Sequence, residues 1–333
     1  MSRVLVAALV AMIIAILSGP TFIAFLRRNE FGQHIREDGP ERHLEKQGTP
    51  TMGGLLVVLA ASLAFLPLTD FTLPALTIFG TTLACAAIGF LDDLQKLRHR
   101  RSLGLRGRWK ILMLVGVTAA VGFAAHHQHL PHSVFIPVVD WYLPLGPFWY
   151  GLLFLIIAGA VNGVNLTDGL DGLAIGSTLI AAVTYTILTY AAGNFKIADY
   201  LRIAWVPQTG ELAVFCGAMV GASLGFLWFN AHPAEIFMGD VGSLALGGAI
   251  GTLAVAIKQE ILLVFVGGLF VIEALSVMIQ VASFKLTGRR VFKMSPLHHH
   301  FELSGWRETK VVVRFWIIAI IFALMSLATL KLR

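Results

Sequence analysis

The sequence has 333 residues, of which 57% are apolar and only 13% charged, against roughly 45–50% and 25% for an ordinary soluble domain. A mean hydropathy of +0.79 excludes a soluble fold. It also excludes nucleic-acid binding as the reason for the formal charge of +6, so the basic excess is expected beside a membrane. The two cysteines, Cys85 and Cys216, sit far apart inside apolar runs and support neither a disulfide framework nor a thiolate metal site.

A helix needs about 20 mostly apolar residues to span about 30 Å of hydrocarbon. Runs of that kind occupy 4–26, 52–68, 73–91, 109–125, 148–164, 170–190, 211–228, 241–257, 261–284 and 311–330. The expected fold is therefore an all-α integral membrane protein of ten transmembrane helices, forming a single polytopic domain over 1–333. The first run is expected to stay uncleaved, because it is long, lacks a small-residue cleavage site and leads straight into Arg27 and Arg28. Loops 27–50, 92–110 and 285–310 carry 5, 7 and 6 Lys or Arg, whereas the opposite side, both termini included, carries six. By the positive-inside rule the first set is cytoplasmic and both termini are periplasmic. The periplasmic segment 126–147, with four His, four Pro, Trp141 and Tyr142, reads as a small interfacial hairpin.

Carboxylates at a membrane boundary are costly to dehydrate and are functional candidates. Asp92 and Asp93 end the third span, Asp168 and Asp171 open the sixth, and Asp240 opens the eighth, all on the cytoplasmic side. Five carboxylates at one depth, without as many adjacent cations, repel one another unless an ion joins them. Oxygen-only ligands suit Mg²⁺, which binds through one or two carboxylates plus substrate phosphates. Each segment has a plainer reading: in NLTDGLDG (165–172), Asn165 or Asp168 can cap the sixth helix, and Asp240, after Gly239, can cap the eighth. The Asp92–Asp93 pair resists that reading, since negative charge at a helix C-terminus opposes the dipole.

His298, His299 and His300 lie in SPLHHHFELSGW (295–306). Three consecutive residues converge poorly on one ion, so hydrogen bonding to phosphate or sugar is favoured over zinc. Glu273, inside the ninth span, is paired, lines a cavity or marks a proton path, and the sequence does not choose among these. GTPTMGG (48–54) lacks the lysine spacing of a P-loop, while Lys46 ahead of it and Lys96 and Arg100 after the Asp pair are placed to meet phosphates or lipid headgroups.

Taken in order and spacing, GTPTMGG, FLDD (90–93), NLTDGLDG, the MGD ending at Asp240, PLHHHFELSGW and VVVRFW (311–316) resemble one family, the phospho-N-acetylmuramoyl-pentapeptide-transferases or translocase I enzymes of bacterial peptidoglycan synthesis. The likeness runs essentially from end to end. Two departures, Arg307 where many members have Pro and Gly163 where Ala is commoner, fall outside the proposed catalytic positions. The resemblance implies an inner-membrane enzyme with a cytoplasmic-face site. It would move phospho-MurNAc-pentapeptide from UDP-MurNAc-pentapeptide to undecaprenyl phosphate, using Mg²⁺, releasing UMP and forming lipid I.

Carried over by motif, Asp240 would ligate Mg²⁺, Asp92 would be base or nucleophile, Asp93 would support the acceptor or metal site, and the three His would lie near the donor sugar phosphate. Lys46, Gly169, Leu170, Asp171, Asn230 and Phe237 would form the uridine pocket. Asn165 and Asp168 would flank the diphosphate region, Lys96 would contact a phosphate, and Thr51 would be a further substrate-binding residue. A homodimer is suggested by the resemblance alone. Two alternatives stand beside it: a polyprenyl-phosphate HexNAc-1-phosphate transferase, differing in the loop around the His triplet, and an ion-coupled transporter, which would place its carboxylates near the bilayer midplane instead of at one face.

Overall fold

The computed structural model describes residues 1–29, 48–99, 104–136, 139 and 141–330. Nine helices among them are long and apolar enough to cross a membrane: α1 (Ser2–Arg28), α3 (Leu73–Arg98), α4 (Gly107–His127), α5 (Phe148–Thr167), α6 (Leu173–Gly193), α8 (Gly210–Asn230), α9 (Gly239–Ala256), α11 (Gly268–Thr287) and α13 (Glu308–Ala328). Four shorter helices join them: α2 (Gly54–Phe65), α7 (Phe195–Leu201), α10 (Leu262–Val266) and α12 (Leu297–Glu302). The protein is thus mostly helical and of the integral membrane class.

Two expected spans take a different form. The run 52–68 yields only α2, whose 12 residues reach about 18 Å. Its entry is diverted: Gly53 and Gly54 donate their N–H groups to the carbonyls of Phe237 and Met238, and Phe237 donates to Pro50, each at 2.8 Å. Those amides, orphaned at any helix start, here tie GTPTMGG to the segment before α9, and Pro67 follows the far end. The run 261–284 is broken at Gly267 into α10 and α11.

The central element is α9, GDVGSLALGGAIGTLAVA, in which every residue from Val241 to Ala256 is buried. Between helices in lipid the drive comes from close packing, which small residues permit. At Gly89 of α3 an added β-carbon would come within 2.1 Å of the Asp240 carbonyl, so the end of α3 lies directly against the start of α9. The outer helices α1 and α13 instead expose Leu5, Leu9, Leu17, Ile320 and Leu324, as lipid-facing helices do.

Strands β1 (Ser133–Ile136) and β2 (Trp141–Pro144) pair antiparallel, Ser133 opposite Pro144 and Ile136 opposite Trp141, so the expected hairpin is present. It is anchored to the far end of α9 by Lys258, whose Nζ donates to the Ser133 carbonyl at 2.7 Å and to Glu260, and lies 4.9 Å from the Trp149 ring centroid. Cys85 and Cys216 are free and buried, as packing residues.

Candidate active site

Helix α3 runs on to Arg98, so Asp92 and Asp93 are not at its terminus; Lys96 stands one turn beyond them. Its Nζ lies 2.8 Å from Asp92 Oδ2, 3.2 Å from Asp93 Oδ1 and 3.0 Å from Asp240 Oδ1. Lys110, in the first turn of α4, brings Nζ to 2.9 Å from both Asp92 Oδ1 and Asp240 Oδ2. The carboxylates do outnumber the cations beside them, two ammonium groups among three carboxylates, and the second of these, Lys110, is a site residue that sequence reasoning missed. Its signal was hidden because it is one of seven cations in a loop already explained by the positive-inside rule.

Asp93 and Asp240 are held by the start of α9. Asp93 Oδ2 accepts the Val241 N–H at 3.1 Å, across 148 positions of sequence. Gly239 adopts φ +73, and a β-carbon there would lie 2.6 Å from Asp93 Oδ2 and 3.0 Å from Thr51 Oγ1. Both the left-handed backbone and the close approach require glycine in MGD. Thr51 is buried against this turn.

The capping readings fail. Helix α6 begins after Gly172 with no side-chain cap, and α9 begins after Met238 with none. Asn165 instead donates its amide to Asp240 Oδ1 at 3.0 Å and to Ser243 Oγ at 2.9 Å. Asp168 follows α5 rather than opening α6. Burial, followed by the charges of Asp240 and Asp93, pushes its carboxyl up to about 8, so Asp168 belongs with the acidic cluster and holds its proton at neutral pH.

Asp171 does not join that cluster. Its Oδ2 accepts from Ala234 N–H at 3.1 Å and lies 3.0 Å from His232 Nδ1, while its own N–H donates to Glu308 Oε1 at 2.8 Å. The expected set of five carboxylates around one point is thus divided. Among the described residues, ligand atoms of Asp92, Asp93 and Asp240 lie within 4.8 Å of one another, and those of Asp171, His232 and Glu308 form a separate group of the same kind.

Asn230 bridges segments, donating to the Ile236 carbonyl at 2.8 Å and accepting from Gly172 N–H at 3.1 Å. Leu170 packs its side chain with Leu173, Leu269 and Val311. Phe237 is half-buried beside the GTPTMGG strand. Lys46 and Arg100 lie outside the described residues.

The His triplet is helical, in α12; the rings of His298 and His299 lie against each other with centroids 4.2 Å apart, while the ring nitrogens of the three meet different partners. His298 is fully buried with Nδ1 3.2 Å from Glu273 Oε1, which gives Glu273 the first of its three readings, a paired carboxylate. His299 Nδ1 lies 2.8 Å from Glu302, and His300 Nδ1 accepts the Lys293 N–H at 3.1 Å. Trp306 stacks on Phe301 at 4.6 Å, with the Arg314 guanidinium 4.3 Å from its ring centroid.

Apolar helices that gather carboxylates and lysines at one end of a central helix define a polytopic membrane enzyme built to handle phosphate groups. The model of Glycosyl transferase family 4 matches residues 75–258, and the phospho-N-acetylmuramoyl-pentapeptide-transferase signature 1 matches residues 46–58. Curated phospho-N-acetylmuramoyl-pentapeptide-transferases of Koribacter versatilis, Acidobacterium capsulatum and Syntrophus aciditrophicus are 49%, 51% and 50% identical to the chain, each over 99% of it and 93% of the relative. The chain belongs to the phospho-N-acetylmuramoyl-pentapeptide-transferase family, and it is a transferase.

Proposed function

We propose that the chain transfers phospho-MurNAc-pentapeptide from UDP-MurNAc-pentapeptide to undecaprenyl phosphate at the cytoplasmic face of a bacterial inner membrane. The observation that carries this reading is the Asp92–Asp93–Asp240 cluster with Lys96 and Lys110 threaded through it. In the reaction an oxygen of the lipid phosphate attacks the sugar-bearing phosphorus of the donor. The bond from that phosphorus to the bridging oxygen breaks, and the electron pair leaves with UMP. Positioning and charge neutralisation are what such a transfer requires of the protein.

The donor set fits Mg²⁺: all ligands are carboxylate oxygens, closely grouped, and Asp240 is the least enclosed of the three. Asp240 would hold the ion, which when bound supplies neutralisation of the diphosphate oxygens. Lys96 and Lys110 are placed to follow negative charge as it moves to the leaving phosphate. Asp168, whose carboxyl is held above its usual range by burial and by the charges of Asp240 and Asp93, can in its protonated form donate a hydrogen bond to a phosphate oxygen. Asp92 is engaged on both oxygens, Oδ1 by the Leu105 N–H at 2.7 Å and by Lys110, and Oδ2 by Lys96. That enclosure favours direct attack by the lipid phosphate, with Asp92 steering the lysines and taking up a proton, over a covalent phosphoryl-Asp92. An acceptor phosphate whose second pKa is about 6 needs little help to ionise.

In this reading Phe237 stacks on uracil, the backbone of Gly169, Leu170 and Asp171 lines the base, Lys46, Thr51 and Asn230 complete the pocket, and His299 and His300 face the sugar phosphate. In this reading ten membrane-embedded helices, α2 counted with the nine longer ones, put both termini on one side, and the excess of Lys and Arg in the opposite loops makes that side the periplasm. Release of UMP by purified enzyme, given both substrates and Mg²⁺, with a lipid product of the mass of undecaprenyl-diphospho-MurNAc-pentapeptide, tests the proposal. Absence of that product with intact substrates refutes it.

A further inference from the structure

The proposed chemistry gives no role to Glu273, a carboxylate with no exposed surface inside α11. Burying a carboxylate away from water is unfavourable unless its contacts compensate for lost hydration. Glu273 makes one hydrogen bond and one close approach, both to α12. Its Oε2 accepts the Leu297 N–H at 2.7 Å, and its Oε1 lies 3.2 Å from Nδ1 of His298, which is equally buried. Nε2, at the opposite side of the imidazole, meets the loop between α5 and α6: a β-carbon on Gly169 would lie 2.2 Å from Nε2 and 2.9 Å from Cε1. Neither ring nitrogen completes a hydrogen bond to protein. The imidazole is therefore a flat spacer between a carboxylate on α11 and a glycine on the loop, and Gly169 is glycine because nothing larger fits against it.

That loop carries Asp168 next to Asp240, and Asp171 bonded to the 229–240 segment and to Glu308. A change in the depth of His298 would shift both carboxylates together. The Nδ1 atoms of His299 and His300 meet other partners, Glu302 and the Lys293 amide, although the His299 ring rests against that of His298 with centroids 4.2 Å apart.

We propose that Glu273 and His298 are positioning residues, a buried strut through which α11 and α12 set the place of the NLTDGLDG loop, and that His298 does not touch the donor. This rests on the function proposed above. It divides the triplet: His298 holds the loop, and any direct contact with the donor falls to His299 or His300.

The test uses the full-length enzyme in detergent, treated with diethyl pyrocarbonate and mapped by peptide mass spectrometry. His298 is expected to stay unmodified with and without UDP-MurNAc-pentapeptide, and to become reactive in Glu273→Ala. Modification of His298 in the unaltered enzyme, prevented by the donor, would overturn the proposal without needing any variant to fold. Kinetics give a second readout. Gly169→Ala crowds the ring and His298→Ala removes it, so kcat/KM of the double variant is expected to lie at least about tenfold above the value obtained by multiplying the two single losses, because the crowding disappears with the ring. Glu273→Gln, whose amide oxygen still accepts from Leu297, should keep more activity than Glu273→Ala. Losses that simply multiply would mean that Gly169 and His298 act on the substrate independently, and would sink the strut. Failure of the unaltered enzyme to use UDP-MurNAc-pentapeptide would instead strike the proposed function and leave the labelling result readable.

Discussion

The side-chain amide of Asn165 lies 3.0 Å from Oδ1 of Asp240, joining the last turn of α5 to the first turn of α9, 75 positions apart in sequence. Asn165 is neutral, so it fixes the direction of the carboxylate without competing for its charge, in the way outer partners orient metal ligands. Asn165→Ala is expected to weaken the apparent Mg²⁺ affinity by about 10–100-fold, the usual cost of removing such a partner, as read from UMP release across a Mg²⁺ titration. Asp240→Asn, which keeps the shape and removes the charge, should abolish turnover while the protein still purifies as a folded monodisperse species. Near-normal Mg²⁺-dependent rates in Asp240→Asn would reduce Asp240 to a helix-start residue.

Asp168 makes a prediction about pH. Burial and the neighbouring Asp240 and Asp93 raise its carboxyl from 3.8 to about 8. Across that window the folded state holds a proton that the unfolded chain has lost. This contribution to stability is therefore fully present at about pH 4, declines as pH rises, and levels off above about pH 8. In chelator, the melting temperature of the unaltered protein should fall more between about pH 5 and about pH 8 than that of Asp168→Asn, which mimics the protonated form throughout. Parallel curves for the two proteins would place Asp168 in a hydrated, ordinary setting.

Most of the apolar spans and the hairpin were legible because apolar run length and turn-forming composition are local signals. The carboxylates were legible because charge at a membrane boundary is rare. What one dimension concealed was pairing. Lys110 looks like any other basic loop residue until α4 is packed beside α3, and only then does it lie between Asp92 and Asp240. The split of Asp171 from Asp168 could not be foreseen from their three-residue spacing, because it depends on a non-helical loop that ends at Gly172 with φ +78. The shortness of α2 follows from backbone pairing with residues 237 and 238, which the composition of the run does not report. The motif resemblance, by contrast, pointed to the family directly, since order and spacing of whole segments survive without knowledge of their contacts.

Phe237 offers a half-buried aromatic face three residues before Asp240, on a segment held by backbone bonds to Pro50 and Gly53. Stacking on a base is worth about 1–3 kcal/mol in single-strand binders, so Phe237→Ala should weaken binding of the UDP-sugar by about 10–100-fold. Because the segment is fixed by its main chain, the fold should survive. Unchanged affinity in calorimetry would assign Phe237 to packing at the membrane boundary.

Topology can be read by labelling on intact cells, since both native cysteines are buried and give a quiet background. Gln128, which follows α4 at the hairpin end, should react with an impermeant maleimide as Gln128→Cys. Arg289, exposed between α11 and α12, should be protected as Arg289→Cys until the cells are opened. Labelling of Arg289→Cys on sealed cells would invert the orientation and move the site to the periplasm.

The donor sugar separates the proposed activity from that of a HexNAc-1-phosphate transferase, which would share a metal cluster of this kind. The segment from α11 to α13 carries Lys285, Arg289, Arg290, Lys293, Arg307 and Lys310. Its aromatic footing, Phe301 against Trp306 and Phe315, is packed beside α13. Exposed cations on a fixed platform suit a donor whose peptide arm bears carboxylates, and they have nothing comparable to grip on UDP-GlcNAc. In a single assay containing equal amounts of UDP-MurNAc-pentapeptide and UDP-GlcNAc, the lipid product scored by mass should be almost entirely the MurNAc-pentapeptide species. Replacing Arg289 and Arg290 together by Gln should raise KM for that donor while leaving kcat nearly unchanged, as expected of side chains that grip the peptide arm and contribute binding equal in ground and transition states. The loss should shrink at high salt, where exposed charges are screened. A predominant GlcNAc-diphospholipid product would overturn the choice of donor and leave the lysine-bridged carboxylate cluster as the machinery of a related transferase.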